Sequence, residues 1–305
     1  MELSFHQVTK FYGPVVGLNE VSFEIGPGIT GLFGANGAGK STLMKLASGQ
    51  LRPTLGSVSI GELPTWKTSA KHHLGYTPDL DRFYEKMKVR HFLQLIAKLH
   101  GFRPVKVKEA TEQALHRVGM TDRAEKRLGG CSRGMRQRVQ LAQALIHDPE
   151  ILLLDEPMSG IDPAGRQEIT AILRGLASDG KTILLSSHLL QEVEPLAQSI
   201  LMIARGRLVA AGPLSEIREQ LDQEPLTIEL ISTEPRRLSV ACMQMDSVQS
   251  VTLQRDRILL RTNQASEFYR DLQATVVAEK FEITRYDVLD AGAEAVFQYL
   301  DRRAP

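Results

Sequence analysis

The chain has 305 residues, 42% hydrophobic and 24% charged, which are the proportions of a folded globular protein with room for about two domains. Lys and Arg total 37 against 36 Asp and Glu, so the net charge of +1 provides no global field for nucleic acid or anionic lipid. The two cysteines, Cys131 and Cys242, make no disulfide framework and suit a reducing compartment; the first residues lack a basic-then-apolar leader, and no apolar run nears the roughly 18 residues that span a bilayer.

Residues 1–28 alternate apolar and polar, as in Val21-Ser-Phe-Glu-Ile25, and predict antiparallel strands. Ile29-Thr-Gly-Leu-Phe33 reads as a buried strand, and Ser41-Thr-Leu-Met-Lys-Leu-Ala47 as the start of a helix. Between them, Gly34-Ala-Asn-Gly-Ala-Gly-Lys-Ser41 satisfies G-x-x-x-x-G-K-[ST] with Gly34, Gly39, Lys40 and Ser41. Glycines let backbone N–H groups close around phosphate oxygens, and the helix terminus adds positive charge. Lys40 would reach the β- and γ-phosphates and the Ser41 hydroxyl would sit on Mg²⁺. This stretch predicts a nucleoside triphosphate site. Upstream of it, Tyr12 is either a packed aromatic or a ring that stacks on adenine. Residues 55–62 read as a further strand and turn.

From Val89 to Leu145 the pattern is helical. Phe92, Leu95, Ile96 and Leu99 predict one apolar face, and Ala110, Ala114, Leu115 and Val118 a second; both are taken as core. Cys131-Ser-Arg-Gly-Met-Arg-Gln-Arg138 opens another helix, with Met135, Val139, Ala142 and Leu145 on one side. Arg133, Arg136 and Arg138 crowd its first turns, where cations oppose the helix dipole. Two readings stand for them: a solvated basic face, or a seat for an anion.

Ile151-Leu-Leu-Leu-Asp-Glu-Pro157 is a buried strand ending in two acids, the position where parallel sheets bind ligands. Asp155 is placed to hold Mg²⁺, and Glu156, expected to point the other way, to polarise an attacking water. Asp162-Pro163 predicts a helix N-cap followed by Pro at the first position. Thr182-Ile-Leu-Leu-Ser-Ser-His188 is a second buried strand, ending in a histidine that is either structural or a donor sensing a γ-phosphate.

Taken together, the phosphate loop, Cys131–Arg138, Asp155-Glu156, Asp162 and His188 resemble the ATP-binding subunit of an ABC transporter of the efflux type, over residues 1 to about 220. The resemblance implies an α/β phosphate-loop ATPase core with an antiparallel β subdomain and a helical insert at about 85–148. It implies that Tyr12 stacks on adenine and that Gly34, Asn36, Gly37, Ala38, Gly39, Lys40, Ser41 and Thr42 form the Walker A loop. Ile151 to Glu156 become Walker B, with Glu156 the catalytic base, Ser159–Asp162 the D-loop and His188 the switch histidine. The family's Leu-Ser-Gly-Gly-Gln signature is here Cys131-Ser132-Arg133-Gly134-Met135, where Ser132, Arg133, Gly134 and Met135 would contact the ATP of an opposite subunit. That contact would supply the anion for the arginines. Asp79, in Leu74-Gly-Tyr-Thr-Pro-Asp79, stands where the family has its Q-loop glutamine, still able to approach Mg²⁺. Phe83 and Tyr84 beyond it would receive a membrane subunit, or are tucked aromatics in a surface loop.

Past about residue 222 the motifs stop. Patterning predicts strand 226–231, helix 235–245, strands 248–254 and 257–262, helix 265–277, strand 280–286 and helix 292–302. That order suits a small ferredoxin-like domain over 223–305, dimerising, regulatory or merely structural. The resemblance thus implies an ATP- and Mg²⁺-dependent ATPase that dimerises with a second copy or a homologous ATPase subunit. It would drive a polytopic transmembrane permease from the cytoplasmic face of the cell membrane, with no nucleic-acid partner. The competing reading is a soluble ATPase switch acting on a nucleic-acid or ribosome complex.

Overall fold

Strands β1 (Leu3–Tyr12) and β2 (Val15–Ile25) pair antiparallel around a turn where Gly13 takes φ +58°. The computed structural model describes residues 1–80, 83–213, 216–217 and 226–289. The chain divides into a unit of Met1–Pro213 and a second that begins at Leu214.

In the first unit, β4 (Leu55–Ile60) and β5 (Leu63–Pro64) extend the hairpin into a four-stranded sheet of order β2-β1-β4-β5. A six-stranded sheet is assembled from β3 (Gly28–Phe33), β6 (Leu74–Thr77), β7 (Ile151–Leu154), β8 (Thr182–Ser187), β9 (Ser199–Ala204) and β10 (Arg207–Gly212). Its order is β10-β9-β3-β8-β7-β6, parallel except for the β9–β10 pair. Every residue of β3, β7 and β8 is buried, as continuous apolar runs in a parallel sheet require. One core joins the two sheets. Leu3 and Phe5 from β1 meet Leu153, Leu184 and Ile203 from the parallel sheet, with Leu43 and Met44 of α1 (Lys40–Ala47) among them.

After a short α2 (Thr68–Lys71), the helical insert consists of α3 (Val89–Leu99), α4 (Pro104–Arg117) and α5 (Arg133–Leu145). The α4 stripe is buried as predicted: Ala110, Ala114, Leu115 and Val118 are all inside. The α3 stripe is buried only in part: Phe92 is inside, Leu95 and Ile96 are half-buried and Leu99 is 74% exposed, while Val89, Leu93 and Ala97 complete the buried face of the helix. Leu99 is the last residue of α3, where the helix ends and the side chain is left in solvent. Phe83 is half-buried, its ring edge-on to Phe92 at 5.0 Å and under the Arg136 guanidinium at 5.2 Å; Tyr84 is 67% exposed. Of the two readings open for this pair, Phe83 takes the tucked one, and Tyr84 is left exposed to meet a partner. Beyond β7 come α6 (Pro163–Ser178), which starts on Asp162 without a side-chain capping bond, and α7 (Leu190–Val193).

His147, just beyond α5, stacks its ring on His100 at 4.2 Å and 16°. Its Nε2 donates to the Leu74 carbonyl at 3.1 Å, while Nδ1 is buried without a partner. Burial first, and the adjacent His100 second, push the His147 pKa down to about 4. The unfolded chain would protonate this ring near pH 6.5, so the folded state loses stability as pH falls from about 6.5 towards 4. His147→Gln keeps an N–H for Leu74 and removes the titration. Its melting temperature should fall less between pH 7 and pH 5 than that of the unmodified chain; equal slopes would contradict this.

In the second unit, β11 (Leu226–Ser232), α8 (Pro235–Met243), β12 (Ser250–Gln254), β13 (Arg257–Thr262), α9 (Ala265–Glu279) and β14 (Ile283–Val288) follow in order. The sheet is antiparallel with order β12-β13-β11-β14, the ferredoxin-like arrangement, around Ile228, Leu230, Leu238, Ile258, Leu260 and Phe268. Strand β14 starts later than predicted because α9 runs on to Glu279 and ends at Lys280 in a left-handed cap, φ +54°. The helix predicted at 292–302 lies outside the described residues, as does the domain boundary predicted after 222.

Candidate functional site

Strands β3, β6, β7 and β8 run parallel, so the loops leaving their C-terminal ends share one edge of the sheet. There they surround a cleft of about 310 Å³ lined by residues of the phosphate loop, Asp79, Asp155, Glu156, Ser159 and His188. The loop's shape is set by two glycines. Gly39 takes φ +114°, and a Cβ there would sit 2.9 Å from the Gly17 carbonyl oxygen. A Cβ on Gly34 would sit 2.4 Å from the Ile203 carbonyl oxygen, against backbone that cannot yield.

Lys40 is 7% exposed, and its Nζ donates to the carbonyls of Gly34 at 2.6 Å and Ala35 at 3.3 Å. The same ammonium is 3.6 Å from Glu156 Oε1. Burial lowers its pKa, against the pull of Glu156 and Asp155. Ser41, Thr42, Asn36 and Gly37 line the cleft. Ala38 does not: it is buried, its N–H donates to the Ala35 carbonyl at 3.1 Å, and its own carbonyl accepts from Gly206 N–H at 2.8 Å. Tyr12 lies beside the loop with its hydroxyl 3.5 Å from Thr42 Oγ1 and the Lys10 ammonium 5.6 Å over its ring.

Asp155 is buried at the end of β7, where its N–H donates to the Thr77 carbonyl at 2.9 Å and its Oδ1 accepts from Ser186 Oγ at 2.6 Å. Burial raises its pKa; the Ser186 hydrogen bond opposes this, and the carboxylates of Asp79 and Glu156 add to it. Glu156 does not point away from Asp155, as strand alternation predicts. Strand β7 has ended at Leu154, and Glu156 adopts φ +50°, so its carboxylate turns into the same cleft. There Glu156 Oε2 lies 2.9 Å from His188 Nδ1, which leaves Nε2 as the ring atom available to a ligand. Ser186 escaped sequence reasoning as a site residue; its only signal was a hydroxyl inside an apolar strand.

Ser132, Arg133, Gly134 and Met135 start α5 and are not among the residues lining this cleft. Ser132 caps the helix, its Oγ accepting from Met135 N–H at 3.3 Å. The arginines behind it are matched within the chain. Arg136 makes a two-pronged pair with Glu85, 2.8 Å on each prong, and Arg138 lies 3.3 Å from Glu168. An anion supplied in trans is therefore not needed to explain Arg136 or Arg138. Arg133 is exposed and packs its guanidinium over Gly160.

The donor set fits a hard divalent cation. Three carboxylates and one ammonium line the cleft, and Ser41, Asp79 and Asp155 offer only oxygen atoms. Among the described residues no three His, Cys, Asp or Glu side chains form a closed metal cage. A Mg²⁺ ion held by one or two side chains, with phosphate and water completing its shell, matches such a set.

These features define a phosphate-loop nucleotide-binding α/β protein. A family profile described as ABC transporter matches residues 18–159. The chain is 34% identical over 229 residues to the ABC transporter ATP-binding protein NatA of Bacillus subtilis (strain 168), across 74% of this chain and 93% of that protein. It is also 34% identical over 240 residues to the Nod factor export ATP-binding protein I of Burkholderia thailandensis, across 77% and 78%. A solved ATP-binding subunit of an ABC transporter superposes with a TM-score of 0.65 at 27% identity, across 72% of this chain and 93% of that one. The chain belongs to the ABC transporter family as an ATP-binding subunit. Among the described residues no helix is long and apolar enough to cross a membrane.

Proposed function

We propose that this chain binds ATP with Mg²⁺ in the described cleft and hydrolyses it as one half of a dimer, driving a separate transmembrane permease that exports its cargo. The observation that carries this reading is the convergence of Lys40, Asp155, Glu156 and His188 on the phosphate loop, with Glu156 and His188 2.9 Å apart. Lys40 and the loop's N–H groups hold the β- and γ-phosphates. Ser41 and Asp155, with Asp79 at the rim, would hold Mg²⁺, which neutralises phosphate charge when bound. Glu156 takes a proton from the attacking water, whose oxygen bonds to the γ-phosphorus as the bond to the bridging oxygen breaks, leaving ADP and phosphate. His188, steadied on Glu156, offers a hydrogen bond to the γ-phosphate.

Ser132–Met135 sit outside their own chain's cleft, as residues that reach the ATP of an opposite copy must. ATP then bridges two chains, and loss of the γ-phosphate releases them. The export direction draws on the likeness to the Nod factor export protein. Tyr84 is the surface residue assigned to the permease, which holds this chain on the inner face of the cell membrane. Tagged protein should recover a polytopic membrane protein from detergent-solubilised native membranes, and Tyr84→Ala should reduce that recovery at least several-fold. Recovery of soluble partners alone would contradict the transport reading. Phe83 is a poor probe, because its ring is packed against Phe92.

A further inference from the structure

Ser186 is the penultimate residue of β8 and is fully buried. It lies next to the end of β7, since Leu154 pairs with Leu185 in parallel register. Its hydroxyl makes two hydrogen bonds of opposite sense. It donates its proton to Asp155 Oδ1 at 2.6 Å and accepts the Glu156 N–H at 3.0 Å. One oxygen atom thereby fixes the side chain of one acid and the backbone of the next.

The second bond falls where the chain most needs it. Glu156 is in the left-handed region, φ +50°, which is strained for a residue with a Cβ. That conformation is what swings its carboxylate to Lys40 and His188 instead of away from the cleft. The first bond has an equally specific effect. Asp155 is buried among like charges from Asp79 and Glu156, and a donated proton fixes which of its oxygens is left to face the cleft. Neighbouring hydroxyls do other work: Ser187 Oγ is bonded to Glu192 at 2.8 Å.

We propose that Ser186 is a positioning residue that sets the two acids of the cleft in their separate places, Asp155 towards the metal and Glu156 towards the attacking water. This rests on the reading of Asp155 and Glu156 given above. Ser186 is not among the residues lining the cleft and acts through those two residues. Removing its hydroxyl frees the Asp155 carboxylate to rotate and leaves the Glu156 N–H without its acceptor, buried beside β8.

The test compares Ser186→Ala, Ser186→Val and Ser186→Thr in the full chain. Val and Thr add the same methyl group, and only Thr restores the hydroxyl. Binding of a fluorescent ATP analogue is titrated in EDTA and across a Mg²⁺ series, alongside turnover and melting temperature. In EDTA all variants should bind within about twofold of the unmodified chain. The Mg²⁺ concentration at half effect should rise about tenfold or more in the Ala and Val variants and recover most of the way in Thr, with turnover following. Unchanged Mg²⁺ dependence and turnover in Ser186→Ala would overturn the proposal. So would a Thr variant no better than Val, since packing alone would then account for the loss. Asp155→Asn in the same titration separates this proposal from the reading beneath it. If that variant also shows unchanged Mg²⁺ dependence, the assignment of Asp155 fails; if it loses the dependence while Ser186→Ala keeps it, only the role of Ser186 fails.

Discussion

Replacing Glu156 by Gln should leave ATP bound and nearly stop its hydrolysis. Gln has the same shape, and its amide oxygen still accepts from His188 when Nδ1 carries the proton, so the 2.9 Å contact survives. The cleft loses one of the three carboxylates that line it beside the incoming phosphates, so nucleotide affinity should hold or rise. What is lost is the group that accepts the proton of the attacking water, and general-base catalysis is worth about 10²–10⁴ in rate. Steady-state phosphate release should fall by at least about 100-fold while the affinity for ATP stays within about threefold. A variant that turns over within tenfold of the unmodified chain would remove Glu156 from its role.

Lys40→Ala should do the reverse and abolish binding. The Lys40 ammonium is buried, held by two loop carbonyls and close to Glu156, so its charge is delivered to the phosphates with little loss to solvent. A charge-assisted hydrogen bond of this kind contributes about 1.5–3 kcal/mol. Two phosphate contacts therefore predict an affinity loss of at least about 100-fold by calorimetry. The substitution also leaves Asp155 and Glu156 without their nearest cation, which further disfavours an anionic ligand. ATP affinity within a few-fold of the unmodified chain would place the triphosphate elsewhere.

Features carried by contiguous residues are legible in the amino-acid order, and pairings between single side chains far apart in it are not. The phosphate loop is legible because strand, glycine turn and helix are contiguous, and each demands a distinct residue type. The apolar runs at Ile151–Leu154 and Thr182–Leu185 are legible because a strand covered on both faces has no room for polar side chains. The orientation of Glu156 was misread because period-two alternation holds only inside a strand, and the chain leaves the β region at that residue. The pairing of Arg136 with Glu85 spans 51 residues, so three arginines at a helix start looked like an uncompensated charge. Leu99 fits the helical period of α3 yet lies at its end, beyond the packed neighbours. Ser186 was hidden for a related reason: a hydroxyl in a buried strand acquires meaning only when the neighbouring strand brings two acids to it.

The central claim is that ATP joins two of these chains through a cleft on one and Ser132–Met135 on the other. It is tested most directly by sedimentation velocity of the Glu156→Gln chain with saturating ATP and Mg²⁺, beside the same chain carrying Ser132→Arg. The account predicts a dimer that forms with ATP, disperses with ADP, and is lost in the Ser132→Arg background although that chain still binds ATP. A Glu156→Gln chain that remains monomeric with ATP bound, or a dimer indifferent to Ser132→Arg, would contradict it.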